Sequence, residues 1–388
     1  MPDAIVTAAV RTAIGTAFKG SLANVQPDEL AVPVITAAMA ASGVSPDLVD
    51  DVILAESLHG GGDIARFSAI EAGLASVPGL AVNRHCAGSL SSVMLAAAGV
   101  RGGGERSIIA GGVQSTSTAP ILRLRENPDT AWLFQSHRPT TEAPADDMSI
   151  TVGWNAARLA GISRQDQDAW ALRSHRRALA AIEAGVFKDE IVPLSIPAAD
   201  GGLRTFDTDE HPRASTDSAK LAALRVLHPE IPDFSVTAGN SSGINDAAAA
   251  LMITSSHVVE SEGLQALAVI RGGASVGVDP VHTGLAVSDA IRKVLSRTGI
   301  STKEVDLWEI NEAFASVPIA VCRALDLDED IVNPFGSGCS LGHPVAATGA
   351  RMLTTLVHEL GRRGGGTGVA AMCAGGGMAS AVVVEVLS

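Results

Sequence analysis

Metal-ligand clusters and long apolar runs are missing from this chain of 388 residues. Its four cysteines lie far apart, and the sequence has neither a Cys-x-x-Cys pair nor a His/Cys spacing typical of zinc. No stretch reaches about eighteen uncharged apolar residues, the length that a membrane-spanning helix needs. The sequence therefore predicts neither a metal site nor a membrane anchor.

Basic residues are also few, because 28 lysines and arginines stand against 42 acidic residues, and the formal net charge is −14. Such an acidic balance argues against a nucleic-acid partner. The segment Met1 to Val10 has no basic residue and favours a strand over a signal peptide, and the ending Val386-Leu387-Ser388 matches no lipidation or peroxisomal signal. With 46% hydrophobic and 18% charged residues, we expect a globular cytoplasmic protein with reduced cysteines.

An internal duplication relates the two ends of the chain. The tripeptide Gly43-Val44-Ser45 recurs as Gly299-Ile300-Ser301, and in both places an apolar-periodic helix precedes the glycine and a short strand follows. A glycine at this point suits a left-handed helix cap. Each half then continues with a small-residue helix and an Arg-Gly-Gly-Gly turn, at 101–104 and 363–366. We predict two halves of one architecture, packed as pseudo-twofold partners.

Strands that alternate with helices through glycine turns predict α/β layers with largely parallel, buried sheets. We assign residues 1–116 together with 235–262 to an N-terminal half, and residues 263–388 to a C-terminal half.

Residues 117–234 interrupt the repeated pattern. They bear prolines and charges and contain one clear helix, from Arg164 to Ala184, which Ser163 opens as a cap. We interpret this insert as a loop domain that covers a ligand.

The segment Asn83-Arg84-His85-Cys86-Ala87-Gly88-Ser89 places one cysteine between a short apolar run and a small-residue helix from Leu90 to Gly99. Backbone N–H groups and the dipole at a helix N-terminus lower the pKa of a nearby thiol. A single cysteine is more often a small buried hydrophobic residue. The neighbours of Cys86 favour a covalent nucleophile instead.

Three further segments carry groups that suit acyl chemistry: Asn311-Glu312-Ala313-Phe314-Ala315, Gly342-His343-Pro344 and Cys373-Ala374-Gly375-Gly376-Gly377. Read singly, the asparagine caps a helix and the histidine is a surface or core residue. Together with Cys86 they supply an amide, a base and a second thiol, which is a full set for covalent acyl transfer.

This combination resembles the thiolase family, and the resemblance covers nearly the whole chain. It implies that Cys86 takes an acyl group from an acyl-CoA, while His343 deprotonates Cys86 and then lines an oxyanion hole. Cys373 would remove and return the α-proton as acid and base. Asn311 would hold a water in that hole, and the N–H of Gly375, with that of Cys86, would form a second one.

The tetrad Asn311 to Phe314 also separates this chain from the sterol-carrier branch of the superfamily, which uses a histidine-containing version. The resemblance implies that Glu312 supports both structure and catalysis.

The resemblance also implies contacts with coenzyme A. Ser242 matches the residue that hydrogen-bonds pantetheine, and Arg213 matches the arginine beside the adenosine phosphates, although a surface arginine is otherwise simply solvated. No Gly-x-Gly-x-x-Gly follows the first strand, so the sequence does not predict a dinucleotide-binding fold. We expect CoA and acyl-CoA as substrates, and no metal or redox cofactor.

Three departures from the family pattern concern the acyl group. Segment 283–287 lacks the usual Gly-Pro pair, Met148-Ser149 stands where the acetoacetyl-CoA-forming branch shows His-Met, and segment 335–339 alters a double glycine before the histidine. They weaken an assignment to the short-chain biosynthetic enzymes and leave the acyl group open.

We therefore expect a thiolase that converts a 3-ketoacyl-CoA and CoA to an acyl-CoA and acetyl-CoA, as in fatty-acid degradation by β-oxidation. Two alternatives stay open: an acetyl-CoA acetyltransferase that makes acetoacetyl-CoA, and a non-catalytic CoA- or lipid-binding protein on the same scaffold. A ketosynthase-type condensing enzyme is disfavoured because its two histidines are not evident.

Assembly is expected to follow from exposed sheet edges. The strands Ser107 to Gly112 and Val369 to Cys373 are expected to end the sheet, and an exposed edge is normally paired or covered. Thiolases dimerise through the N-terminal half, so the resemblance implies a homodimer or a dimer of dimers with residues 83–115 in the interface. The alternative is a monomer whose insert covers that edge.

Overall fold

The computed structural model describes residues 1–59, 62–132, 135–198 and 201–387. The strands are β1 (Ala4–Thr12), β2 (Gly15–Thr16), β3 (Asp51–Ala55), β4 (Gly79–Val82), β5 (Ser107–Gln114), β6 (Arg123–Leu124), β7 (Asn127–Ala131), β8 (Ile191–Val192), β9 (Leu194–Pro197), β10 (Leu203–Phe206), β11 (Asn245–Ser255), β12 (Ala268–Gly277), β13 (Leu307–Ile310), β14 (Gly366–Ala374) and β15 (Met378–Val386). The helices are α1 (Pro27–Ser42), α2 (Ile64–Glu71), α3 (Gly88–Arg101), α4 (Asn155–Leu159), α5 (Arg164–Glu183), α6 (Ser218–Ala222), α7 (Ser256–Glu262), α8 (Ala286–Thr298), α9 (Ser316–Leu325) and α10 (Thr348–Arg362), and a π-helical segment (Ser149–Trp154) precedes α4.

The main sheet repeats one strand order in its two halves. Its order is β13-β14-β15-β12-β1-β11-β5-β3-β4, so that β12-β15-β14-β13 in one half corresponds to β1-β11-β5-β3 in the other. The halves join where β1 and β12 pair antiparallel, with Ile5 opposite Val269. This arrangement confirms the expected duplicated α/β fold, while the boundaries assigned to the insert and the two halves stay a prediction.

The expectation of largely parallel strands is wrong. Antiparallel ladders join β1 to β11 and β12, β11 to β5, and β15 to β12 and β14, whereas β3 with β4 and β5, and β13 with β14, are parallel. The hairpin β14–β15 is closed by a short glycine turn, and strands joined in this way must run antiparallel. Small apolar residues buried on both faces give the same sequence pattern in either direction.

Helices and strands alternate in layers, as the three largest apolar clusters show. One cluster packs α3 and α10 together against strands of both halves. A second joins α1 and α2 to the outer face of the N-terminal strands, and a third joins α8 and α9 to the outer face of the C-terminal strands. The helices that follow Cys86 and His343 are therefore neighbours at the centre of the molecule.

Three predicted helix ends, at Gly43, Gly299 and Ser163, are confirmed, whereas α3 extends two residues beyond its predicted range at each end. Gly43 and Gly299 end α1 and α8 with φ of 69° and 71°, the left-handed conformation that glycine adopts without a steric penalty. In the insert, Ser163 caps α5: its Oγ accepts from the N–H of Asp166 at 3.1 Å, while Asp166 Oδ2 accepts from the N–H of Ser163 at 3.2 Å.

The two ends of the main sheet differ from the expectation and from each other. The strands expected at the edges, β5 and β14, lie inside the sheet, and the edges are β4 and β13. Asn333 covers β13, because its Oδ1 accepts from the N–H of Ile310 and its Nδ2 donates to the C=O of Ile310, both at 2.8 Å. Among the described residues, no strand pairs with the outer side of β4.

No helix in the described part of the chain is long and apolar enough to cross a membrane.

Candidate active site

Cys86 lies in the turn that joins β4 to α3. The N–H of Ala87 donates to the C=O of Arg84 at 3.1 Å, and Asn83 Oδ1 accepts from the N–H of His85 at 2.8 Å. His85 has φ of 45°, an uncommon left-handed conformation for a residue with a side chain. Such costly conformations concentrate at functional sites, and this one sets Cys86 just before α3 begins.

Cys86 is half-buried as a residue, and it packs against the central apolar cluster. Burial of the sulfur raises its pKa to about 11, while hydrogen bonds from the backbone N–H groups of Gly375 and of Cys86 itself act in the opposite direction. The expectation that the helix N-terminus lowers this pKa is therefore wrong, because desolvation outweighs the hydrogen bonds. A thiol in this state needs a base that takes its proton as it reacts.

Cys373 lies in β14 and is 2% exposed. Burial raises the pKa of its thiol, and the neighbouring charge of a Cys86 thiolate raises it further. This interaction and the hydrogen bond from Gly375 to Cys86 bring both cysteines and the glycine turn into one site.

His343 lies in the loop that leads into α10. Its backbone N–H donates to Asn245 Oδ1 at 3.0 Å, and its ring Nδ1 lies 2.7 Å from Thr348 Oγ1. Burial lowers the pKa of the ring to about 3, and the nearby charge of Arg351 lowers it as well. The imidazole is therefore neutral at physiological pH, which is the form that a general base needs.

Asn311 follows β13 and is fully buried. Its backbone N–H donates to the C=O of Ala371 in β14 at 3.0 Å, two residues before Cys373. Its amide Nδ2 lies 3.4 Å from Nδ1 and 3.5 Å from Nε2 of His343. Asn311 Oδ1 has no protein partner among the described residues, so it can accept a bond from a bound group.

Hydrogen bonds across the central layer join the N-terminal half to the segment that follows His343. In α10, the N–H of Ala350 donates to Ser89 Oγ of α3 at 3.0 Å. In the histidine loop, the N–H of Ala346 donates to Gln114 Oε1 of β5 at 3.2 Å. The helices that follow Cys86 and His343, which come from different halves, are thus joined directly.

Glu312 connects the site to the insert. One of its carboxyl oxygens accepts from Trp170 Nε1 at 2.8 Å, and the other accepts from Ser174 Oγ at 2.6 Å; both partners belong to α5. Asn333 Nδ2 and the N–H of Cys339 donate to the same carboxyl group at 2.9 and 3.1 Å. The insert is therefore anchored directly behind Asn311.

The two residues expected to bind CoA lie in different surroundings. The N–H of Ser242 donates to the C=O of Ala313 at 2.9 Å, so its loop lies on the Asn-Glu-Ala-Phe segment. Arg213 is exposed, and its backbone N–H donates to Nδ1 of His175 at 3.2 Å. The structure thus places Ser242 beside the catalytic groups and Arg213 at the surface of the insert.

Two histidines beside Arg213 were not identified from the sequence. Burial lowers the pKa of His175 and of His211 to about 4 each, and the charge of Arg213 contributes to both shifts. His211 also lies against the Ser242 loop, since a Cβ built on Gly243 would lie 2.3 Å from its ring. The separation of His211 from Arg213 by one proline was an available signal, whereas nothing in the sequence marks His175.

The insert also places two side chains beside the glycine turn that follows Cys373. A Cβ built on Gly375 would lie 3.6 Å from Met148 Sδ and 3.9 Å from Ser136 Oγ. Met148 was identified as a departure from the family pattern, but no sequence signal pointed to Ser136.

Comparisons with known proteins agree with this geometry. The family model for the thiolase N-terminal domain matches residues 4–257, and that for the thiolase C-terminal domain matches residues 264–386. An acetyl-CoA acetyltransferase of Pseudomonas aeruginosa is 39% identical over 99% of both chains. A beta-ketoadipyl-CoA thiolase of Acinetobacter baylyi is 40% identical over 99% of this chain and 100% of its own length.

Solved structures show the same fold. The acetyl-CoA acetyltransferase of Bacillus anthracis superposes with a TM-score of 0.92 at 41% identity, covering 100% of this chain and 99% of that one. Human mitochondrial 3-ketoacyl-CoA thiolase superposes with a TM-score of 0.91 at 34% identity, covering 99% of both chains.

The buried histidines predict a loss of stability in acid. Folded-state pKa values of about 3 for His343 and about 4 for His175 and His211 lie below the ordinary value of 6.5. Between about pH 6.5 and 4 the unfolded chain binds protons that the folded chain does not, so the free energy of unfolding falls as the pH falls, by at most about 1.4 kcal/mol per pH unit for each group. Urea unfolding across this range measures the slope.

The variant His211→Gln should reduce that slope, whereas His257→Gln, at an exposed site, should leave it unchanged. Equal slopes for wild type and His211→Gln would contradict the assignment.

Proposed function

The chain belongs to the thiolase family and is an acyltransferase, and from this premise we propose that it works through an acyl-Cys86 intermediate. In the degradative direction it converts a 3-ketoacyl-CoA and CoA to an acyl-CoA and acetyl-CoA, as β-oxidation requires. The observation that carries the proposal is the position of Asn311: its amide nitrogen lies 3.4 Å from Nδ1 of His343, and its backbone N–H donates to the C=O of Ala371 in β14, two residues before Cys373.

In the first half of the reaction, His343 takes the proton of Cys86, and the thiolate attacks the 3-keto carbonyl carbon. Acetyl-CoA then leaves as its enolate, which Cys373 protonates. The high pKa of the buried Cys373 thiol supports this role, because an enolate needs a proton held by a weak acid in a water-poor site.

In the second half, the Cys373 thiolate takes the proton of CoA, and the CoA thiolate attacks the acyl-Cys86 thioester. Cys86 leaves as a thiolate and recovers its proton from His343. The N–H groups of Gly375 and Cys86, which act on the pKa of the Cys86 sulfur, would stabilise the developing oxyanion of this thioester. The partnerless Oδ1 and the amide of Asn311, close to His343, support a second polar pocket.

We place CoA along the Ser242 loop and toward Arg213. Ser242 adjoins the catalytic segment through Ala313, as a pantetheine contact requires. Arg213 is exposed beside His211, whose ring adjoins the same loop, and an arginine is suited to phosphate recognition.

The names of the relatives support two candidate reactions. Human mitochondrial 3-ketoacyl-CoA thiolase and the beta-ketoadipyl-CoA thiolase of A. baylyi favour cleavage of a larger 3-ketoacyl-CoA. The acetyl-CoA acetyltransferases of P. aeruginosa and B. anthracis favour condensation of two acetyl-CoA molecules to acetoacetyl-CoA as the second candidate. The acyl group held on Cys86 would contact Met148 and Ser136 next to Gly375, so these side chains are expected to limit its size.

Replacing Met148 with alanine should widen the acyl site. We expect Met148→Ala to raise kcat/KM for 3-ketooctanoyl-CoA relative to acetoacetyl-CoA by about 10-fold, because one or two methylene groups in an apolar pocket change discrimination by this order. A thiolysis panel of 3-ketoacyl-CoA chain lengths measures the ratio. The control Met39→Ala alters a methionine of α1, away from the site. An unchanged ratio in Met148→Ala would contradict the proposal that Met148 limits the size of the acyl group.

Replacing Cys86 and replacing Cys373 should impair different steps of the reaction. Mixed with acetyl-CoA, Cys86→Ala should form no hydroxylamine-labile acetyl adduct, whereas Cys373→Ala should form it but exchange the α-protons of the acetyl group at least about 100-fold more slowly. Mass spectrometry of the intact protein and deuterium exchange measure the two steps. His343→Ala should lose both acylation and turnover.

The control for these variants is Cys322→Ala, which removes a buried thiol of α9 outside the site. An unchanged acetyl adduct in Cys86→Ala would refute the assignment of Cys86 as the nucleophile. Wild-type protein that binds acetyl-CoA without forming any adduct would favour the non-catalytic alternative.

We also propose a homodimer, or a dimer of dimers. Its interface consists of β4 and residues of the segment 83–115, which follows β4. The outer side of β4 carries no partner strand in the described chain, and large apolar side chains on and around it are exposed: Leu80 44%, Phe67 50%, Ile70 43% and Leu95 48%. An unpaired apolar edge of this kind favours pairing with a second copy.

Light scattering should give at least twice the chain mass of 39.5 kDa. Leu80→Lys should shift the protein toward the monomer mass, because a charge would be buried in the interface. Leu203→Lys, at a side chain 74% exposed in the insert, should not. An active wild-type species of monomer mass at submicromolar concentration would refute the dimer.

A further inference from the structure

Thr348, the first residue of α10, contacts both His343 and the backbone of the histidine loop. Its side chain is fully buried. Its Oγ1 lies 2.7 Å from Nδ1 of His343 and 2.8 Å from the C=O of Pro344, four residues earlier. One hydroxyl group therefore bridges a ring nitrogen and a carbonyl oxygen.

Counting the hydrogen-bond donors at this bridge shows which atom carries each proton. A hydroxyl group donates one hydrogen bond and accepts others, whereas a carbonyl oxygen only accepts. If the Thr348 proton pointed at the ring, its oxygen and that of Pro344 would face each other at 2.8 Å with no proton between them. The proton therefore points to Pro344, and Thr348 Oγ1 accepts from the N–H at Nδ1 of His343.

The other groups around the ring do not reverse this assignment. The amide nitrogen of Asn311 is almost equally distant from the two ring nitrogens, at 3.4 and 3.5 Å, and so favours neither tautomer. The charge of Arg351 disfavours a second proton on the ring. A neutral imidazole with its single proton on Nδ1 has an unprotonated Nε2.

We propose that Thr348 is a positioning residue that holds His343 in the Nδ1–H tautomer, so that Nε2 is the atom that accepts the Cys86 proton. The inference rests on the proposed function, in which His343 is the base. In the step itself the proton leaves Sγ of Cys86 and bonds to Nε2, and the ring then carries a proton on each nitrogen. Thr348 still accepts from Nδ1–H, so its contact serves both states, and Nε2 returns its proton to Cys86 when the acyl group departs.

The chain contains a matched control on the same helix. Thr354 is also fully buried, and its Oγ1 donates to the C=O of Ala350, four residues earlier, at 2.9 Å. It makes the same bond to the helix backbone as Thr348. Thr348→Val and Thr354→Val therefore each remove one hydroxyl group from α10. The hydroxyl group of Thr348 also contacts the ring of His343.

The first experiment measures the rate of Cys86 acylation in mixtures of enzyme and acetyl-CoA that are quenched at set times. Thr348→Val should form acyl-Cys86 about 30- to 100-fold more slowly than wild type, in line with the loss of a correctly presented general base, while KM for acetyl-CoA changes little. Thr348→Ser, which keeps the hydroxyl group, and Thr354→Val should stay within about 3-fold of wild type. Equal rates for Thr348→Val and Thr354→Val would overturn the proposal, and so would a Thr348→Ser rate as low as that of Thr348→Val.

The second experiment reads the tautomer without any reaction. In protein labelled with ¹⁵N-histidine, the ring nitrogen shifts distinguish Nδ1–H from Nε2–H, and the signals missing from His343→Gln identify the residue. Wild type, Thr348→Ser and Thr354→Val should show Nδ1–H, and Thr348→Val should show Nε2–H or a mixture. Wild-type protein with Nε2–H would refute the inference about Thr348. Wild type with Nδ1–H but no acyl-Cys86 would refute only the proposed function.

Discussion

The carboxyl group of Glu312 is the contact on which the arrangement of the site depends. It is almost completely buried and accepts hydrogen bonds from α5 of the insert and from two loops of the C-terminal half, at distances between 2.6 and 3.1 Å. A buried carboxyl group without such partners costs several kcal/mol, so the insert, Asn333 and Cys339 are held to it strongly. Asn311 precedes it in sequence, so the position of this buried amide depends on the same network.

Burial has opposite consequences for the acid and base groups. It raises the pKa of both active-site thiols and lowers that of His343, so the resting site favours neutral groups. Arg351 is the permanent charge close by; it bonds to Glu309 Oε2 at 2.7 Å with both side chains buried. In the proposed mechanism, charges therefore form in the site only when a proton moves from Cys86 to His343.

The family and its acyltransferase class were readable from the sequence because each candidate reactive group lies in a short local motif. Cys86, His343 and Cys373 each lie within two residues of a glycine, at the end of a strand or the start of a helix. The direction of the strands was not readable, since small apolar residues buried on two faces look alike in either orientation. The raised thiol pKa was missed because desolvation depends on what packs around the sulfur, and contacts between distant segments supply that packing.

The insert was the part least accessible from sequence. Its helix α5 was predicted from the Ser163 cap, but its contacts with Glu312, and those of Ser136 and Met148 with Gly375, come from tertiary packing without a periodic pattern. The histidines near Arg213 were also not predictable from sequence. His175 has no distinguishing motif in α5, and only the folded chain brings it beside Arg213.

The duplication also bears on how many copies can join. Had both halves kept an open outer strand, each molecule would offer two pairing edges, and head-to-tail addition could continue without end into a filament. Asn333 removes one of these edges by placing an amide side chain where a neighbouring backbone would bond. Within the described residues β4 is then the one open end of the main sheet, and a dimer paired through it, as proposed, could not extend further along the sheet.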